Sequence, residues 1–228
     1  MQGRELLDTL HAFAPGSGAA AMLRHAERFR ILDPREPTLA EITPAGAATA
    51  EDFGRRVRGF DRVRIFHSAV KRCRQTAECI ARGVAANGLA AEVAGPQAEL
   101  GVGYISDQLE IARLSELHGE YFVRLWFAGQ LPPSLIRPAA VLAAEQLALL
   151  HARLLEPSPG ERRLDLHVSH DWNVLVLREH LLQVRHEDTG WLTYLDGVAF
   201  QAGPDGLRAV YREQSRQRPL PWEFAPAS

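Results

Sequence analysis

Residues 19–28 read Ala-Ala-Ala-Met-Leu-Arg-His-Ala-Glu-Arg. The apolar run Ala19–Leu23 follows the turn signal Gly16-Ser17-Gly18 and stops at Arg24-His25. A short apolar run, bounded by glycine and closed by charge, predicts a strand buried on both faces. Its end delivers Arg24, His25, Glu27 and Arg28 to the place where side chains leave the sheet.

Two further segments have the same form. Arg62–His67 alternates and ends in Ser68, and Leu164–Val168 ends in Ser169-His170-Asp171. Helices are predicted between them. Thr43 is an N-cap with Pro44 at the first helical position, Ala47, Ala50, Phe53 and Val57 recur at helical spacing, and Gly59 is the stop. Val70–Val84 carries Val70, Cys73, Ala77, Ile80 and Val84 on one face. Ala91–Ala94 is a third strand. Gly95–Gln130 reads as mixed helical turns broken by Pro132-Pro133. Pro138–Leu155 is an Ala/Leu-rich helix closed by the turn residues 157–160, and Trp172–Leu182 is another. Trp191–Phe200 and Leu207–Tyr211 read as a hairpin around the Gly203–Gly206 turn. Alternating strands and helices predict an α/β fold with a mostly parallel sheet, helices on both faces and a C-terminal β-hairpin. One domain over residues 1–228 is expected, with a Pro-rich arm from about residue 217 to residue 228.

The composition suits a packed globular chain: 46% hydrophobic and 24% charged over 228 residues. Lys+Arg 26 against Asp+Glu 28 leaves no basic surplus, so nucleic acid is not an expected partner. No apolar run approaches the roughly 18 residues of a membrane span. Arg4, Glu5, Asp8 and His11 stand where a signal peptide needs an apolar stretch. Two cysteines, Cys73 and Cys79, sit six apart on different faces of one predicted helix and make no disulfide framework. These features predict a cytoplasmic protein.

In such sheets ligands bind at the carboxyl ends of strands. The three strand ends bring two histidines, arginines and an acid to one crevice: Arg24, His25 and Arg28; Ser68, with Arg72 one turn into the next helix; and His170 with Asp171. Nine histidines invite a metal, but no His-Glu-x-x-His or Cys/His ligand spacing occurs, so neither metal nor cofactor is expected. Of the local basic run Arg62, Arg64, Lys71, Arg72 and Arg74, all but Arg72 read as a solvated face. Phe29, Tyr104, Phe122, Trp126, Phe127, Trp191 and Tyr194 read mostly as core, with a pocket wall gripping an apolar part of a substrate as the alternative.

Four motifs in order resemble the histidine phosphatase superfamily, which includes phosphoglycerate mutases and histidine acid phosphatases. The Arg-His-Gly motif stands as Arg24-His25-Ala26, and Leu-Thr-x-x-Gly as Ile42-Thr43-Pro44-Ala45-Gly46. The Ser-x-x-x-Arg-x-x-x-Thr-Ala pattern is met by Ser68, Arg72, Thr76 and Ala77, and the second histidine motif by Ser169-His170-Asp171. A second Arg-His pair, Arg185-His186, has no such context. The resemblance implies a phosphoglycerate mutase-like fold. It also implies a metal-independent phosphatase that hydrolyses a small phosphorylated substrate through a phosphohistidine intermediate. His25 is then the nucleophile, and Arg24, Arg72 and His170 hold the phosphoryl oxygens. Arg28 matches the second arginine of the acid phosphatase branch.

A leaving group needs a proton donor. Asp171 follows His170 as the acid does in the acid phosphatase branch, and also reads as a helix cap. Glu99 lies just after the third strand, near the acid of the mutase-like branch, with Asp107 and Glu110 behind it. A phosphoglycerate-type mutase is the alternative activity, although Arg28-Phe29-Arg30-Ile31-Leu32 lacks the Trp and Asn of the mutase pattern. A non-catalytic phospholigand-binding protein is a third reading, set against the intact pair His25 and His170. A phosphohistidine protein phosphatase is a fourth, and such domains are usually smaller than this chain.

Overall fold

The computed structural model describes residues 2–14, 18–33, 35–203 and 206–218. These residues form a seven-stranded sheet of order β3-β2-β4-β1-β5-β6-β7. The strands are β1 (Ala19–Arg24), β2 (Arg62–His67), β3 (Ala90–Pro96), β4 (Arg163–Ser169), β5 (Gly197–Gly203), β6 (Gly206–Tyr211) and β7 (Gln214–Arg218). Strands β3, β2, β4 and β1 pair in parallel, while β5, β6 and β7 add on antiparallel. The sheet is mostly parallel in strand direction, because β6 reverses β5 and runs with β1.

Strand alternation sorts the core into two layers. Ala20 and Met22 of β1 face one side with Phe122, Trp126, Leu142 and Val174. Ala19, Ala21 and Leu23 face the other, with Phe53, Ile80, Leu164 and Leu166. The first layer holds α4 (Gln108–His118), α5 (Tyr121–Phe127), α6 (Ala139–Leu154) and α7 (Asp171–Leu182). The second holds α1 (Arg4–Ala12), α2 (Pro44–Arg55) and α3 (Lys71–Ala86). A short helix α8 (His186–Thr189) precedes β5.

Helix α2 starts as the sequence predicts: Thr43 Oγ1 accepts from Gly46 N at 2.9 Å, with Pro44 next. The start is pressed onto the chain beside β1, where Thr43 N donates to Glu27 O at 2.9 Å. A Cβ at Gly46 would lie 2.2 Å from that carbonyl oxygen, so only glycine permits this approach.

Several boundaries move. Helix α1 was not foreseen; the i, i+4 pair Leu6 and Leu10, with Leu7, buries its apolar face. Helix α2 ends at Arg55, before Val57. Gly59, at φ +74°, turns the loop toward β2 instead of capping the helix. Residues 191–196 are not strand, and β5 begins only at Gly197. The Asp196 carboxylate accepts from Gly197 N at 2.8 Å, and Leu195 is left-handed at φ 60°, which no strand tolerates. Gln217 and Arg218 extend β7 and do not belong to an arm; residues 219–228 of the expected arm, like Gly16 and Ser17, lie outside the described residues. Gly95–Gln130 resolves into a 3-10 turn at Ala98–Leu100, then α4 and α5. Among the described residues no helix is long and apolar enough to cross a membrane.

Helices α2 and α3 cross in contact at small residues. A Cβ at Gly83 would lie 2.0 Å from Glu51 O. Gly83→Ala therefore forces the helices apart at an overpacking cost of about 2 kcal/mol. In a domain of this size the expected fall in thermal midpoint is roughly 4–8 °C, read by calorimetry.

Candidate active site

Sheet register assembles the site. Arg24 pairs with Ser169, and His67 with Val168, so β1, β2 and β4 end level. The ladder runs one residue further: His25 N donates to Ser169 O and Ser68 N to Val168 O, both at 3.0 Å. His25, Ser68 and His170 thus leave the sheet side by side. Ser68 and Arg72 are four apart across the start of α3, which turns Arg72 back over the strand ends.

Arg72 is 6% exposed and ties the site together. Its Nε donates to His25 Nε2 at 3.0 Å, one Nη to His170 Nδ1 at 3.1 Å, and the other to Pro37 O at 2.7 Å. Every acceptor is neutral, and among the described residues no carboxylate pairs with Arg72. Burial, ahead of the neighbouring Arg28 and Arg24 charges, depresses its proton affinity.

The hydrogen bonds settle both imidazole tautomers. His25 Nδ1 contacts Ala26 O at 2.7 Å and so carries the proton, which leaves a lone pair on Nε2. His170 Nδ1 accepts from Arg72, so its Nε2 carries the proton and donates to Ser68 Oγ at 3.1 Å. The rings stand 5.7 Å apart, edge to face. Burial first, and the Arg72 guanidinium second, push His25 from 6.5 down to about 3. The same causes hold His170 well below its ordinary value.

Asp171 stands at the start of α7. Its Oδ2 accepts from Arg24 Nη2 at 3.0 Å and from Trp191 Nε1 at 3.2 Å, and its Oδ1 from Trp172 N at 3.0 Å. Burial pushes its pKa up, but Arg24, His25 and these N–H groups outweigh it and hold the carboxyl below the usual range. Arg24 also donates to Leu192 O at 2.5 Å and lies 4.3 Å above the Tyr194 ring.

A cavity of about 310 Å³ opens over this floor, lined by His25, Arg28, Arg72, His170 and Asp171 among others. Arg28 is placed by pairing of its strip with Ile42. Arg24 sits beneath, on Asp171. Glu99 does not join them: it lines a separate cavity with Tyr104, Arg137 and Glu145. Asp107 caps α4, and Glu110 pairs with Arg113.

Among the described residues, one trio of candidate metal ligands converges, Glu179, His186 and Glu187. Arg124 already donates to both carboxylates, so the trio is an ion-pair cluster, and it lies off the His25 cavity. Cys73 lies 3.7 Å from His170 Nε2, with burial pushing its thiol up to about 12; it is no nucleophile near neutral pH.

A family model described as histidine phosphatase superfamily, branch 1, matches residues 21–190. The chain belongs to this superfamily. A search of curated proteins finds no match. Among solved structures, the fold is similar to that of "Mycobacterial hydrolase 1" at 17% identity, covering 86% of this chain and 98% of that one, with TM-score 0.59. It is similar to Bacillus stearothermophilus YhfR at 16% identity, 86% and 96% coverage, TM-score 0.57. It is also similar to a mycobacterial glucosyl-3-phosphoglycerate phosphatase solved with inorganic phosphate, at 18% identity, 86% and 97% coverage, TM-score 0.55.

Trp191, Leu192 and Tyr194 lie just beyond the span that matches the superfamily, in a segment whose sequence reads as strand. Asp196-Gly197, a turn dipeptide inside that supposed strand, was the signal that the chain bends here toward Arg24.

The buried histidines make stability depend on pH. His25, and the wholly buried His167 stacked 5.0 Å from Phe66, are each depressed to about 3. Below pH 6.5 the unfolded chain takes up protons that the fold refuses until about pH 3. Their contribution is therefore complete above pH 6.5 and is lost as pH falls toward 3. Thermal melts from pH 7 to pH 4 should show a falling midpoint. His167→Leu, away from the cavity, should cut the slope by up to about 1.4 kcal/mol per pH unit; an unchanged slope would refute the assignment.

Proposed function

We propose that this chain is a metal-independent phosphatase that hydrolyses a phosphomonoester through a phosphohistidine on His25. The observation that carries the reading is the buried Arg72 cation, bonded only to the two neutral imidazoles and one carbonyl. A buried charge with no carboxylate in direct contact is costly, and this one stands beside a free-base imidazole nitrogen. A phosphoryl group supplies the missing anion, and a guanidinium fork matches its oxygens.

On this reading the phosphate displaces His25 Nε2 as the acceptor of the Arg72 Nε–H. His25 Nε2 attacks in line, forming an N–P bond as the bond from phosphorus to the ester oxygen breaks. The Ala26 carbonyl holds the Nδ1 proton and accommodates the charge that develops on the ring. Arg72 and Arg28 hold the equatorial oxygens, His170 joins them once the bound anion favours a second ring proton on Nδ1, and Arg24 acts from below. Water then attacks phosphorus, breaking the N–P bond and releasing phosphate.

Asp171 is the proton donor we favour, since it lines the His25 cavity and Glu99 does not. Its carboxyl is ionised in the free site. The proton it delivers then arrives with the substrate monoanion, whose phosphate has a second pKa near 6, and the bound negative charge raises the carboxyl's proton affinity. Rates on alkyl phosphates should accordingly fall above about pH 6.

The test is leaving-group dependence. Asp171→Asn should lose about 10²-fold or more on an alkyl phosphate and far less on the nitrophenyl ester, which hardly needs a proton. Glu99→Gln should be nearly silent on both. Turnover should be abolished in His25→Ala, survive EDTA and yield to vanadate. Equal losses on both esters in Asp171→Asn would reduce Asp171 to a support for Arg24. A steep dependence in Glu99→Gln would move the role to Glu99.

A further inference from the structure

The charged floor of the His25 cavity fills only part of its lining. The walls are Ile31 and Pro37 from the loop between β1 and α2, Val102, Tyr104 and Ile105 from the segment before α4, and Trp172 at the start of α7. The remaining lining groups, Thr38, Gln108 and Ser115, are polar but neutral. Arg28 and Arg72 are the cations of the lining; Arg72 lies on the two imidazoles, and Arg28 donates to Phe29 O at 2.9 Å.

The aromatic wall is fixed before any ligand arrives. Tyr104 is 3% exposed, donates from its hydroxyl to Asn173 Oδ1 at 3.0 Å, and stacks on Trp126 at 5.3 Å. Trp126 meets Trp172 at 5.9 Å, and Trp172 stacks on Phe122 at 5.1 Å. On the facing loop, the Pro37 carbonyl is held by Arg72 itself. The volume, about 310 Å³, is near the lower end of ligand pockets, so the occupant is a small molecule.

We propose that this site selects small phosphomonoesters whose leaving group is neutral and apolar, a ring or a branched chain, over esters carrying a second anion or a polyol. The proposal rests on the phosphatase reading above and adds the substrate class. With Arg72 and Arg28 taken up by the phosphate on this reading, a second anionic group would meet only apolar and neutral wall groups. An apolar group replaces water against preformed rings at little cost in ordering.

Three alkyl phosphates with similar leaving-group demands test it: 2-phenylethyl phosphate, glycerol 2-phosphate and 3-phosphoglycerate. The expected order of kcat/KM is phenylethyl above glycerol by at least about tenfold, carried mainly by KM, with 3-phosphoglycerate lowest. Two variants act as independent reporters, Ile31→Asp on the loop and Val102→Thr on the opposite wall. Each should reduce the phenylethyl-to-glycerol ratio, the first to about one. Vanadate-sensitive turnover of all three esters with no preference, or with 3-phosphoglycerate best, overturns the substrate class and leaves the phosphatase reading standing. A preference unmoved by both variants also overturns it. Turnover of none, with no vanadate-sensitive activity on the nitrophenyl ester either, removes the phosphatase reading and this proposal with it.

Discussion

One buried guanidinium organises the site. Arg72 reaches His25 on β1, His170 after β4 and the carbonyl of Pro37 in the loop facing them. Its own backbone is secured through Thr76, whose hydroxyl donates to Arg72 O at 2.8 Å and accepts from Ala26 N at 3.0 Å. Helix α3 is therefore fastened to the chain beside the nucleophile candidate at two successive turns. An arginine held this way cannot leave for solvent without dismantling both imidazole tautomers. Its positive charge is kept under cover, with only dipoles in direct contact and the Asp171 carboxylate acting from further off. Burial first, and this cation after it, lowers the basicity of both rings, which keeps both imidazoles neutral near pH 7.

What the sequence made legible follows from local rules. Strand ends could be located because apolar runs stop abruptly at Arg24, Ser68 and Ser169, and parallel register then sets those ends level. Arg72 and Thr76 are i, i+4 on one face of α3, with Ser68 at the strand end just before it, so two contacts follow from one periodicity and the third from the strand end. The Thr43-Pro44 start of α2 was equally local. Helix α1 is less legible because Arg4, Glu5, Asp8 and His11 stand among its leucines, and its apolar face is only Leu6, Leu7 and Leu10. The failure at residues 191–196 has a different cause. That segment adopts its shape to serve Arg24, which lies far away in the chain: Arg24 N donates to Asp196 O, and Leu195 N donates to Arg24 O. Tertiary contact overrode a sequence that reads as strand.

The two acid candidates separate on the same distinction. Position after β3 suggests Glu99, but nearness in the chain to a strand end does not decide which way a short 3-10 turn aims its side chain. Leu100 is fully buried there and its carbonyl accepts from Ser169 Oγ at 2.7 Å, which commits the turn to the sheet through Leu100 and leaves Glu99 facing the neighbouring cavity. Asp171 follows directly on His170, and the first turn of α7 turns it onto Arg24. The same ion pair that favours the carboxylate also orients it, so its position is set by charge as well as by helix geometry.

Floor and wall of the cavity come from different parts of the architecture. Every charged floor residue stands at or within a turn of a strand end or helix start, where backbone geometry leaves little freedom. The wall comes from the loop between β1 and α2, the segment before α4, α4 and the start of α7, with α5 packed behind it, and there packing decides. Tyr104, Trp126 and Trp172 are far apart in the chain and meet only when α5 and α7 lie on the same face of the sheet. Aromatic stacking there adds about 0.5–1.5 kcal/mol per pair beyond area burial, so the wall is part of the core as well as part of the pocket. A residue such as Tyr104 cannot change to suit a new ligand without loosening Trp126 and the Asn173 bond together. The loop carrying Ile31 and Pro37 is held instead through its ends, Phe29 N donating to Glu41 O at 2.9 Å and Ile42 N to Gln75 Oε1 at 3.1 Å, and through the Pro37 carbonyl, so differences in what the pocket accepts are more freely made on that side.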